Sequence, residues 1–102
     1  MNFLEHTVKG LARCLVDEDL GPERLHLHIS EIGPGARAHP PHTHDGVEAL
    51  YMLEGAGTLE IDGENRLIRA GEAAVFDPTK LHSLVNTGTA PMRYMVIIVR
   101  EA

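Results

Sequence analysis

From residue 24 onward, short apolar runs alternate with turn signals every 8 to 12 residues or so, the rhythm of an all-β sandwich or barrel. "RLHLHISEI" (24–32) alternates strictly and stops at "GPG"; "VEALYMLEG" (47–55) and "GTLEIDG" (57–63) follow. Asp62-Gly63 predicts a two-residue hairpin, because both central positions of a type I′ turn need positive φ. "ENRLIRAG" returns, "EAAVFD" (72–77) goes out, "PTK" turns the chain and "LHSLVN" (81–86) comes back. "MRYMVIIV" (92–99) is apolar enough to be buried on both faces or to lie at a subunit contact. About eight strands are expected, with no helix-length pattern between them.

The first 22 residues fit two patterns. Leu4, Val8, Leu11 and Leu15 follow helical spacing, whereas Gly10 and the run "TVKGLARCLV" suit a strand, so this segment stays unassigned. "EDLGPE" then breaks the chain before the barrel region, 24–99. With no repeat, linker or low-complexity tract, residues 1–102 read as one domain. A chain of 102 residues has a core near the lower end of what stands alone comfortably, so help from a second subunit is expected.

Composition narrows the function by exclusion. The chain is 43% hydrophobic and 24% charged, as expected of a folded globular protein. Its formal net charge is −6 and its basic residues are scattered singly, which argues against nucleic acid and anionic membranes as partners. The start "MNFLEHTVKG" has neither a basic n-region nor a long apolar run, so the expected location is cytoplasmic. Cys14 is the only cysteine, which rules out an internal disulfide or a cysteine metal cluster and leaves it as a small apolar filler.

The chemistry concentrates in "HPPHTHDGVE" (39–48). In an extended chain, residues two or four apart share a face, so His42, His44 and Glu48 would point the same way unless Asp45-Gly46 bulges. His39 has the wrong parity and is separated from His42 by Pro40-Pro41, so it is set aside as a ligand. His82 stands alone on its strand, where a histidine is more often a hydrogen-bonded core residue than a ligand. His26 and His28 share one face of "LHLHIS" and are expected to face solvent or a subunit contact, since an alternating strand commonly puts its polar face outward.

These residues resemble the cupin superfamily. Its first signature, glycine then HxH, glutamate and glycine, is matched by "GARAHPPHTHDGVEALYMLEG" (35–55), with His42, His44, Glu48 and Gly55 at the family's internal spacing. Its second is matched by "GEAAVFDPTKLHSLVN" (71–86), with Gly71, His82 and Asn86 in register. Three positions depart: the loop from Gly35 to His42 is one residue longer, Asp77 replaces a proline, and Thr79 replaces a glycine. The resemblance covers about residues 33–99. It implies an antiparallel jelly-roll barrel, commonly a homodimer, holding one divalent transition metal ion through His42, His44, Glu48 and His82. Three neutral imidazoles and one carboxylate suit Fe, Mn, Ni, Co, Cu or Zn, without choosing among them.

Parity from Glu48 and His82 sends Leu50, Met52 and Leu84 toward the lumen, with Phe76 close by and Arg37 in the loop before His42. These five are the candidate pocket residues, with Arg37 as a clamp for an anionic substrate. The expected function is a metal-dependent enzyme acting on a small organic molecule, of oxygenase, isomerase, lyase or hydrolase type. Glu48 is the candidate base if a proton must move. The alternative is a non-catalytic metal-dependent module that binds or senses a small molecule.

Overall fold

The computed structural model describes residues 1–20 and 24–100, so residues 21–23 of the break expected at 18–23 lie outside the described residues. Nine strands are present among the described residues: β1 (Phe3–His6), β2 (Cys14–Asp17), β3 (Leu25–Ile32), β4 (Val47–Glu54), β5 (Ala56–Ile61), β6 (Glu64–Arg69), β7 (Ala73–Phe76), β8 (His82–Val85) and β9 (Met92–Val99). Seven of them lie in the barrel region, against the eight or so expected. The unassigned segment is a hairpin, with Phe3 opposite Asp17 and His6 opposite Cys14. Helical spacing there loses to extended pairing, because Gly10 takes a φ of 73° and turns the chain between the two strands.

The barrel consists of two antiparallel sheets, ordered β3-β9-β4-β7 and β6-β5-β8. Their inner faces share one core: Leu59, Ile68 and Leu84 from the smaller sheet pack with Leu50, Met52, Met92, Tyr94, Val96 and Ile98 from the larger. The β5–β6 hairpin turns at Asp62 (φ 49°) and Gly63 (φ 80°), the conformation that dipeptide predicts. At the closed end, the fully buried Asn86 side chain donates to the carbonyls of Ile32 and Ala90, 2.9 Å each, and accepts from the Gly88 amide at 3.0 Å.

One expectation about faces narrows to its second branch and another needs correction. β9 is not buried on both sides of this chain: Met92, Tyr94, Val96 and Ile98 face the core, while Arg93 and Val99 are exposed on the outer face. β3 is inverted. His26 and His28 share the inward parity with the buried Ser30, and Leu25 and Leu27 face outward. The physical reason is the N-terminal hairpin, whose Phe3, Leu15 and Val16 lie beside Leu25 and Leu27, while the Ile29 amide donates to the Lys9 carbonyl at 3.1 Å. The hairpin's apolar residues stand on the leucine side of β3, where Leu25 stays exposed, and the histidine face turns in.

Candidate metal centre and lumen

His42 and His44 precede β4 in an irregular segment, so the parity argument fails in its premise. Gly46 takes a φ of 97°, and a Cβ there would stand 2.5 Å from the Val99 carbonyl oxygen, so only glycine makes this turn without displacing β9. Backbone pairing replaces strand parity as the device that converges the side chains. The His42 and His82 amides each donate to the other's carbonyl at 3.0 Å, and the His44 amide donates to the Pro78 carbonyl at 2.9 Å. β4 then begins at Val47 and turns Glu48 inward, where only 6% of it is exposed.

The donor atoms meet at the mouth of the lumen. His44 Nε2 lies 2.8 Å and His82 Nε2 3.6 Å from Glu48 Oε1, and His42 Nε2 lies 3.1 Å from His82 Nε2. Opposite ring nitrogens are already committed: His44 Nδ1 donates to the Asp45 carbonyl and His82 Nδ1 to the Lys80 carbonyl, each at 2.9 Å. That leaves Nε2 of both neutral rings as a lone pair facing a carboxylate oxygen. Two acceptors at 2.8 Å call for a proton or a cation between them. This orientation, with backbone carbonyls fixing the tautomer, is the one a metal site uses, and the donor set therefore fits a divalent ion.

His82 is central to two groups whose ligand atoms lie within 4.8 Å of one another: His44, Glu48 and His82, and His39, His42 and His82. The second group brings His39 to the site, where the sequence reading did not place it. The double proline, expected to hold His39 away, instead folds it back so that its ring stacks on His42, with centroids 3.8 Å apart and planes 16° apart. Its Nδ1 donates to the Pro40 carbonyl at 2.8 Å. His42 is exposed at its outer edge, yet partial withdrawal from water, followed by the crowding of His39, His82 and His44, pushes its pKa down to about 4. The ring is neutral and ready to ligate at neutral pH.

Below the cluster is a lumen cavity of about 90 Å³. Leu50 and Leu84 line it, as expected. Met52 does not, because it sits one inward row deeper, opposite Tyr94, and is wholly buried in the core. Phe76 packs edge-on against His82, with centroids 5.0 Å apart, and supports that ring from behind rather than lining the cavity. Arg37 is not a clamp at the mouth: it pairs with Val85 across a backbone bridge and donates to Glu60 on the outside of β5. That contact holds the Arg37 pKa up and the Glu60 pKa down.

The lining residues that the sequence reading did not place at the cavity include His28, His39 and Tyr94. The signal for His28 was present in the apolar residues of the first 22 positions, which could have covered the other face of β3. Burial and the neighbouring charges of His26 and Lys9 push the His28 pKa down to about 4. Burial pushes the Tyr94 phenol up.

Residues 28–98 match the family model described as a cupin domain. The chain belongs to the cupin family. This cupin is 32% identical over 59 residues to an oxalate-binding protein of Thermotoga maritima, covering 57% of this chain and 49% of the relative. It is 37% identical over 67 residues to a dimethylsulfoniopropionate lyase of Ruegeria pomeroyi, covering 66% and 43%. The chain thus spans a little under half the length of the curated relatives it matches. A solved structure from Thermotoga maritima, described as a predicted oxalate decarboxylase, has a TM-score of 0.71 at 22% identity, over 98% of this chain and 93% of that one. At that identity the likeness carries the fold alone, and the two sheets are those of a cupin jelly-roll barrel.

Among the described residues, no helix is long and apolar enough to cross a membrane.

Proposed function

We propose that this cupin is a metal-dependent enzyme acting on a small carboxylate held in the lumen, with one divalent ion bound by His42, His44, Glu48 and His82. The observation that carries this reading is the convergence of three Nε2 atoms and one carboxylate oxygen with the opposite nitrogens of His44 and His82 tied to backbone carbonyls. His42 is preferred to His39 as the fourth donor because its backbone is locked to that of His82, whereas His39 reaches the group only by stacking on His42. When bound, the ion supplies a Lewis acid and open positions for the substrate's oxygens.

The chain's own groups then set what else happens in the cavity. Leu50, Leu59, Leu84, Val96 and Ile98 make its walls apolar and exclude water, which strengthens the polar contacts made there. A cavity of about 90 Å³ restricts the substrate to a few heavy atoms. The names of the two curated relatives, one oxalate-binding and one a lyase of a propionate, support a small carboxylate. Glu48 is the only carboxylate among the described lining residues, so it serves as base only by leaving the ion. That constraint favours a second reading, a binding module without turnover, which the name of the Thermotoga relative also supports.

The test is metal content followed by ligand fate. Protein purified without chelator should carry about one ion per chain, and His82→Ala should carry none; equal occupancy in both removes the proposed site. Titration of the loaded protein with oxalate, followed by product analysis, separates the two readings: consumption marks an enzyme, and stoichiometric binding without product marks a module.

We also propose a homodimer formed through the outer face of the larger sheet. Leu25, Val47, Tyr51, Val75 and Val99 are exposed there by 57%, 54%, 41%, 72% and 51%, a larger apolar patch than scattered surface residues make. Light scattering should give twice the chain mass, and Val75→Lys should shift the population toward monomer.

A further inference from the structure

A second pocket of about 260 Å³ lies in the seam between the N-terminal hairpin and the barrel. His6, Thr7 and Lys9 come to it from the hairpin, His26 from β3 and Arg100 from the segment after β9. No carboxylate lines it among the described residues, although the chain has 15 acidic and only 9 basic residues. Two cations and two imidazoles therefore converge where the composition alone would place acids. The seam is a fixed feature, since the Ile29 amide holds the Lys9 carbonyl and the Arg100 amide holds the Arg24 carbonyl at 2.8 Å. Asp45 approaches Arg100 Nε at 3.4 Å and leaves the other guanidinium donors free of that contact.

We propose that this seam pocket binds a small oxyanion, a phosphate or a carboxylate, between Lys9, Arg100 and the His6 and His26 rings. Ammonium and guanidinium groups with adjacent imidazole N–H donors are the set that recognises such anions, and hydrogen bonds to an ionised acceptor are about twice as strong as neutral ones. The site is separate from the metal centre and stands whether or not the lumen holds an ion.

The geometry also gives the pocket a line to the lumen. His26 Nε2 lies 2.6 Å from His28 Nδ1; His26 lines the seam pocket and His28 lines the lumen. One proton serves that bond, on one nitrogen or the other. An anion that accepts from His26 Nδ1–H fixes the tautomer of that ring and leaves its Nε2 to accept from His28 Nδ1–H. The His28 ring consequently carries its proton on Nδ1 and presents Nε2, the nitrogen left for the lumen, as an acceptor there. Occupancy of the seam thus selects which hydrogen-bonding role His28 plays in the cavity.

The experiment is a titration of the chelated full chain with inorganic phosphate and, separately, with acetate, followed through the imidazole ¹⁵N resonances. Expected are saturable shifts of His6 and His26 with a smaller change at His28, and binding about tenfold weaker in Lys9→Gln and in Arg100→Gln, both surface variants. Stronger binding of phosphate assigns the site to phosphate, and stronger binding of acetate assigns it to carboxylates. His28→Asn should keep the His6 response. Shifts confined to His42, His44 and His82, no saturable response to either anion, or unchanged affinity in both variants would overturn the proposal. The metal reading fails by a different measurement, the ion content of the loaded protein.

Discussion

The two ends of one barrel interior differ in kind although the same strands build both. Along β4 the inward positions run Glu48, Leu50, Met52, and along β9 they run Ile98, Val96, Tyr94, Met92. At the mouth the row holds a carboxylate surrounded by histidines. Two and three rows deeper it holds Met52 and Met92, both wholly buried, beside the capped loop of Asn86. Alternation puts a side chain inside; its distance along the strand decides whether it packs or does chemistry.

Paired substitutions break this comparison most directly. His82→Ala removes the residue common to both donor groups and should weaken metal binding by at least ~100-fold, more than the loss from disturbing an outer partner of a ligand. Met52→Ala should do the reverse, costing about 2–5 kcal/mol of stability in denaturant unfolding while leaving metal content near that of wild type. A Met52 variant that lost its metal at native temperature would show that the two ends are not separable.

Within the mouth, His42→Asn should cost at least ~10-fold in metal affinity, and His39→Asn less than that. Titration with a chromophoric chelator as competitor ranks them, and the opposite order would make His39 the fourth ligand.

The pH dependence of the metal-free protein follows from His28 and His42. Both have pKa values pushed down to about 4 in the folded chain, against about 6.5 when unfolded. Between those values the unfolded chain binds protons that the folded chain does not, so stability falls as pH drops from 6.5 toward 4 and levels off below. Thermal unfolding of the chelated protein across this window should show that decline, and His28→Asn should flatten part of it. A melting temperature independent of pH there would contradict the lowered pKa values of both rings.

The smallest effect is expected at Arg37. Arg37→Gln breaks an exposed pair with Glu60 and should change neither metal affinity nor oxalate binding.

Strand positions and the Asp62-Gly63 turn were readable because each depends on neighbours in the chain: alternation over a few residues, and a dipeptide that tolerates positive φ. Glu48, His44 and His42 were singled out for a reason that did not hold, since Gly46 breaks the extended chain, and they converge through backbone pairing with His82 and Pro78 instead. The unexpected position of His39 beside His42 has the same origin. A double proline fixes local direction, but whether that direction leads away from His42 or back onto it depends on where the chain is anchored next.

What the sequence determined by itself is the all-β alternation, the turn chemistry, and the identity of the residues able to hold a metal. Resemblance to a family supplied His82, since nothing local links positions 34 residues apart from Glu48. Only the tertiary structure decided which face of β3 turns inward. Strand alternation defines two faces but not their environments; the N-terminal hairpin lies on the leucine side of β3, and the histidine face is the one that meets the lumen.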